Sequence, residues 1–109
     1  MIAGFTVVPM GVGESVSHLV AESLQIVDAS GLSYQLGPMQ TVLEGEEAEV
    51  IATILQCHRR MRELAPRVLT TITIDDRAGA SGRLQGKVRD VESLLGKSLR
   101  RIATEEIEK

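Results

Sequence analysis

Aromatic side chains are almost missing from this chain: one Phe, one Tyr and no Trp in 109 residues. Its core must therefore be aliphatic. There is a single cysteine, Cys57, so no internal disulfide can form. That points to a reducing, cytoplasmic setting. No run of about 18 apolar residues exists, and no transmembrane helix is expected. The N-terminus has no basic region ahead of its apolar stretch, so a signal peptide is not expected either. Positive charge is absent from the whole front half. Up to His58 there are seven acids and no Lys or Arg, a charge of −7; the remainder carries +4. Nucleic-acid binding rests on neutralising phosphates, and an acidic front half disfavours it. It suits a cationic ligand or a head-to-tail contact between subunits, or simply two differently charged solvated faces.

The chain that remains is ordinary in bulk. It is 43% hydrophobic and 25% charged, with one domain's worth of length and no internal repeat. Its most informative stretch runs from Ser33 to Gly45. Gly37-Pro38 is a turn dipeptide, with Tyr34 and Leu36 alternating before it and Thr41 and Leu43 after it. This predicts a β-hairpin. The hairpin gathers the only Tyr, a Met beside the turn, a Thr, and Glu44 at its exit. A small apolar ring with polar edges needs about such a set of walls and polar groups.

Around the hairpin, Ile2 to Pro9 has the composition of a central strand, ended by Pro9. Gly11-Val12-Gly13 is a loop, and a lone Gly-x-Gly makes no phosphate cradle. A helix opens at Glu14-Ser15 with Ser15 as N-cap. It places Val16, Leu19, Val20, Ser23 and Val27 on one face and stops at Ser30-Gly31. Acids at Glu44, Glu46 and Glu47 introduce a second helix. Its apolar face reads Ala48, Ile51, Ile54, Leu55, His58, Met61 and Ala65, and Pro66 breaks it. Arg67 to Asp75 alternates as the strongest strand. Leu84, Val88, Val91 and Leu95 define a third helix, with Leu99 and Ile102 continuing the stripe past Gly96. The order β-α-β-β-α-β plus a helix predicts an α+β fold: a ferredoxin-like βαββαβ sandwich with an additional C-terminal helix. The domain is expected over 1–95, with a helical extension over 96–109. The face of the sheet away from the two main helices carries Leu and Thr with few charges. It should meet another subunit or the third helix.

Several pieces in order carry a resemblance: Val8-Pro9-x-Gly, Glu14-Ser15-Val16-Ser17, Ser30-Gly31-Leu32-Ser33-Tyr34-x-Leu, Pro38-Met39-x-Thr41-x-x-Glu44-Gly45, His58, Arg67-Val68 and Ile74-Asp75-Asp76-Arg77. With these the chain resembles the small ferredoxin-like thiamine-binding family, the single-domain relatives of YkoF. The resemblance implies a non-enzymatic protein that binds thiamine or its hydroxymethylpyrimidine part, as carrier, sensor or salvage component. It also implies assembly as dimers or tetramers through the sheets. Gln40 stands where the family usually has Gly, which would narrow the pocket beside the turn. Pro66 stands near a position that more often carries Gly.

On that resemblance Glu44 would engage the aminopyrimidine edge, a ring nitrogen beside an exocyclic amine. Read alone, it is an acid at a helix N-terminus. Thr41 would add a hydrogen bond or serve as a β-branched strand residue. Tyr34 and Met39 would wall the ring or pack the sheet. Ser15 caps the first helix, and Ser17 would face the pocket. His58 reads as a hydrogen-bonded core residue, and Asp75-Asp76-Arg77 as a local ion-pair turn. No catalytic constellation or zinc spacing stands out, so neither an enzyme nor a metal or other cofactor is expected. The alternatives are a regulatory module resembling ACT domains, which would bind an amino acid at a subunit interface, and a purely structural oligomer. Neither nucleic acid nor membrane is an expected partner.

Overall fold

The computed structural model describes residues 1–13, 17–79 and 82–97. Four strands and three helices follow one another as β1 (Ile2–Met10), α1 (Ser17–Ala29), β2 (Ser33–Leu36), β3 (Thr41–Glu44), α2 (Glu47–Leu64), β4 (Arg67–Asp75) and α3 (Arg83–Leu95). The sheet order is β2-β3-β1-β4, antiparallel throughout. This is the ferredoxin-like sandwich with a C-terminal helix.

The register assigns every strand residue to a face, because directly opposed residues share one and neighbours along a strand alternate. Ala3 opposes Leu43 and Ile74, and Phe5 opposes Thr41 and Ile72. These residues, with Tyr34 and Leu36 opposite Leu43 and Thr41, form the face that α1 and α2 cover. Ala3, Phe5, Val27, Leu43, Val50, Ile54 and Cys57 are buried there as one cluster. Each of the larger aliphatic members contributes about 1.5–3 kcal/mol by leaving water. The core is aliphatic, with Phe5 its single ring.

Two details depart from the expected elements. The buried stripe of α2 is Val50, Thr53, Ile54, Cys57 and Met61. Ala48 and Leu55 are exposed and Ile51 is half-buried. The stripe is turned because Cys57 and Thr53 pack inward as small apolar-compatible residues. Pro9 does not end β1 but lies within it, opposite Val68. The ladder to β3 stops at Phe5. Further on, β1 has a neighbour on one side only, and a proline's missing N–H is tolerated at such an edge.

Helix ends follow their local chemistry. Ser30 N–H bonds to the carbonyls of Ile26 and Val27, and Gly31 follows at φ 76°, the left-handed turn that stops α1. Ala65 N–H reaches Met61 O just before Pro66. Gly96, at φ 72°, ends α3 with its N–H on Glu92 O. The start expected for α1 at Ser15, and the stripe continuing to Leu99 and Ile102, lie outside the described residues.

The second sheet face carries Ile2, Gly4, Thr6, Val8, Val42 and Glu44 on β1 and β3. The third helix covers part of it, on the β2–β3 side. Leu84 is buried there, and its N–H donates to Glu44 Oε1 at 3.3 Å. Val8 and Leu69, opposed in the register, remain exposed on the uncovered part.

Candidate functional site

The hairpin turn is tight. Gly37 N–H donates to Gln40 O at 2.9 Å, closing four residues between β2 and β3. A side chain at Gly37 would put its Cβ 2.8 Å from that same carbonyl, so the turn requires glycine. So closed, the turn stands beside α1, and a cavity of about 210 Å³ opens between them on the helix side of the sheet. Phe5 and Val7 of β1 form its floor. Val20, Ser23 and Leu24 of α1 make one wall, and Leu36, Pro38, Met39 and Thr41 the other.

Among the described residues, no charged side chain lines this cavity. Its polar groups are few, and one is out of the ordinary. Ser23 is only 7% exposed, and its hydroxyl has no hydrogen-bond partner among the described residues. The backbone carbonyl of the same residue accepts the Cys57 thiol at 3.5 Å. A buried hydroxyl left unpaired is destabilising by roughly 1–3 kcal/mol. A hydroxyl both donates and accepts, so it can serve a ring nitrogen or an amine equally. Thr41 is nearly as buried and supplies a second hydroxyl-bearing side chain from the opposite wall. Met39 is 84% exposed at the rim, a long apolar side chain able to fold over an occupant.

Of the five residues read from sequence as ligand contacts, Thr41 and Met39 line the cavity together. Tyr34 shares their sheet face but does not line it. Its hydroxyl donates to Asp28 Oδ1 at 2.9 Å, tying β2 to the end of α1. That hydrogen bond, then the Asp28 charge, then slight desolvation raise the Tyr34 phenol above its ordinary pKa. Ser17 begins α1, is exposed, and does not line the cavity. Glu44 lies on the other face of the sheet, where it receives the N–H of Leu84. Thus Glu44 and Thr41 belong to opposite faces of the sheet in this chain. Gln40 also borders the helix-side cavity, and its amide reaches across Gly4, where a Cβ would come within 2.6 Å of Oε1. Gly4 faces α3, so the amide sits in a second cavity of about 310 Å³, beneath that helix, with Gln35, Thr73 and Asp75.

Sequence reasoning placed Ser23 on the apolar stripe of α1 without giving it a role. The signal was a hydroxyl on a stripe of Leu and Val. A third, more open cavity of about 440 Å³ lies between α1 and α2 and includes Glu22 and Arg60. Its charges already serve each other: Arg60 bonds Glu22 at 3.2 Å and Glu63 at 2.9 Å. His58 is half-buried beside β4, with Nδ1 2.6 Å from Thr70 Oγ1. Among the described residues no cluster of three or more His, Cys, Asp or Glu could hold a metal ion.

Residues 3–92 match the family model described as thiamine-binding protein. The UPF0045 protein Mb1933 of Mycobacterium bovis is 38% identical over 96 residues, covering 87% of this chain and 94% of its own length. The UPF0045 protein YqgV of Bacillus subtilis is 37% identical over 100 residues, covering 86% of this chain and 96% of its own. Among solved structures, the protein MJ1052 of Methanocaldococcus jannaschii superposes with a TM-score of 0.77 at 26% identity, over 83% of this chain and 93% of that one. A candidate thiamine biosynthesis/salvage protein of Thermotoga maritima superposes with a TM-score of 0.73 at 23% identity, over 83% and 96%. At that identity the likeness speaks to the fold.

Proposed function

The chain belongs to the thiamine-binding protein family, and on that premise we propose that it is a non-catalytic binding protein for thiamine or its hydroxymethylpyrimidine part. The pyrimidine ring would sit in the cavity between α1 and the hairpin turn. The observation that carries this is the buried, unpaired hydroxyl of Ser23 on an otherwise apolar wall. Volume favours one ring over two. About 210 Å³ falls below the roughly 300–1,000 Å³ of sites that enclose whole drug-sized ligands. The rest of thiamine, with its positive charge, would extend past Met39 into the field of a front half that carries −7.

An amino-acid-binding module is supported less well. An amino acid carries an ammonium and a carboxylate, and each needs a charged or strongly polar partner once out of water. Among the described residues, the cavity lining supplies none that is charged. Absence of cofactor chemistry, action as carrier, sensor or salvage component, and cytoplasmic residence all belong to the proposal. The last rests on the lone cysteine; no described helix is long and apolar enough to cross a membrane. Self-association belongs to it too, with Val8, Leu69, Val91, Leu94 and Leu95 as exposed apolar surface.

Calorimetric titration with thiamine, hydroxymethylpyrimidine and free amino acids tests the reading. Wild type should bind one of the first two, and Val20→Trp, which plugs the cavity from its α1 wall, should lose that binding while staying folded. A wild type that binds neither, or a Val20→Trp variant that binds as before, overturns it.

A further inference from the structure

Beneath α3 the sheet has a notch. Gln35, Val42, Gly4 and Thr73 oppose one another from strand to strand, a single row across all four strands on the α3 face. The next row on that face sets Glu44, Ile2 and Asp75 side by side. Gly4 stands in the middle of the first row and adds no side chain, so the surface dips there. The Gln40 carboxamide reaches into the dip from the hairpin turn. A Cβ at Gly4 would come within 2.6, 2.8 and 2.9 Å of its Oε1, Cδ and Nε2. Leu84 and Val88 of α3 roof the space and leave the cavity of about 310 Å³. The helix packs on β2 and β3, so the roof stops short of β4. Thr73 and Asp75, both exposed, form the mouth.

The chemistry here is unlike that of the helix-side cavity. Ile2, Val42, Leu84 and Val88 make an apolar interior, while two carboxamides, a hydroxyl and the Asp75 carboxylate make the polar part. Among the described residues no Lys or Arg lines it. An anion would meet the charge of Asp75, with Glu44 in the same row, and no described cation to offset them. A purely apolar molecule would strip water from the carboxamides and return no hydrogen bond. A bare metal ion is unsuited too: among the described residues no three His, Cys, Asp or Glu gather to hold one.

We propose that the cavity beneath α3 is a second binding site, for a compact organic cation: an amidinium or protonated amine carried on one apolar ring. Its N–H groups donate to the Asp75 carboxylate and to the side-chain oxygens of Gln35 and Gln40, which turn their amides to accept. Donation from a cation to a carboxylate is among the stronger hydrogen bonds available to a protein. The ring lies against Val42, Leu84 and Val88. The volume, at the lower end of the roughly 300–1,000 Å³ of small-molecule sites, suits one ring with its charged group. Nothing in this depends on a pyrimidine in the helix-side cavity, which lies across the sheet.

Benzamidine is the probe, and benzamide its neutral counterpart of the same shape. Both are titrated into ¹⁵N-labelled protein. Benzamidine should shift the Gln35 side-chain amide and the Leu84 and Val88 backbone amides, leaving Leu24 and Leu36 of the helix-side cavity in place. Benzamide should bind at least about tenfold more weakly. Asp75→Asn, which keeps the shape and removes the charge, should weaken benzamidine about tenfold or more. Gly4→Ala fills the notch and should abolish its binding. The backbone of Gly4 is not left-handed, and the atoms its Cβ would meet are the free end of a flexible side chain, so that variant should keep its fold. Val20→Trp, which plugs the helix-side cavity, should bind benzamidine as wild type does. Failure of this site and failure of the other are thereby read separately. No shift at Gln35 and Leu84 up to millimolar benzamidine, benzamide binding as tightly, or a folded Gly4→Ala variant that binds as before would each overturn the proposal.

Discussion

Ser23→Ala is the perturbation with the most to say, because stability and affinity should move in opposite directions. In the empty protein the Ser23 hydroxyl is buried and has no partner among the described residues. Removing it relieves about 1 kcal/mol of that burden. Alanine also suits the middle of α1 better than serine, by about 0.5 kcal/mol. The small void left by one oxygen offsets a few tenths. The empty variant should therefore gain about 1 kcal/mol, which in a domain of this size raises the melting temperature by about 4 °C or more. With ligand present the sign reverses. A polar ligand atom that met Ser23 is left without a partner in an apolar cavity, at about 1–3 kcal/mol. That is roughly a 5- to 150-fold loss of affinity. Thermal unfolding without ligand and calorimetric titration with hydroxymethylpyrimidine read the two effects separately. A variant that melts lower while binding as tightly as wild type would refute the reasoning, because the hydroxyl would then be serving the fold.

Three other residues make separate tests. Burial pushes the Cys57 thiol up to about 11, so at pH 8 only about one molecule in a thousand holds a thiolate. Native protein should resist thiol reagents and react fully in denaturant; rapid labelling of the native state would contradict its burial. The Tyr34 phenol is raised by its bond to Asp28, so that bond's contribution is intact below pH 10 and lost as pH rises through the raised value. Asp28→Asn should move the ultraviolet titration of the chain's single tyrosine down toward the ordinary value of about 10, and an unmoved titration would count against the contact. Thr70→Val removes the partner of His58 and should lower stability by about 0.5–1.5 kcal/mol. Ligand affinity should stay at the wild-type level, and a large loss would make His58 part of the site.

Much of the fold was legible because its punctuation is chemical. Gly31 and Pro66 stop helices for reasons of backbone geometry alone, and both stops are where the residues put them. The hairpin follows from Gly37-Pro38 in the same way. Pro9 misled because tolerance of proline depends on whether a neighbouring strand is present, and β3 ends before reaching it. The turn of the α2 stripe misled for a related reason. Cys57 and Thr53 are weak signals of burial by composition, whereas Leu55 is a strong one, yet the packing of α1 against α2 buries the former pair and exposes the latter. Such choices are made by tertiary contact, which local periodicity does not contain.

The site divides along a line that is arithmetic. Thr41 and Glu44 lie in one strand, three residues apart. In a strand an odd separation sends two side chains to opposite faces. Any ligand that touches both must therefore reach around the hairpin or through it. The register makes this concrete: Thr41 opposes Phe5, under α1 and α2, while Glu44 opposes Ile2, under α3. Met39, in the turn, and Thr41, at the start of β3, both line the cavity. Gln40, in the turn, borders both cavities, and its amide lies over Gly4 on the α3 side. A hairpin dense in suitable groups thus serves two surfaces. The helix-side surface is completed by Ser23, brought from another element eighteen residues upstream of Thr41, which neither spacing nor composition within the hairpin could announce. Glu44, seated against the Leu84 N–H, instead links the hairpin to the N-terminus of α3. It should therefore be replaceable by Gln without loss of binding at the helix-side cavity.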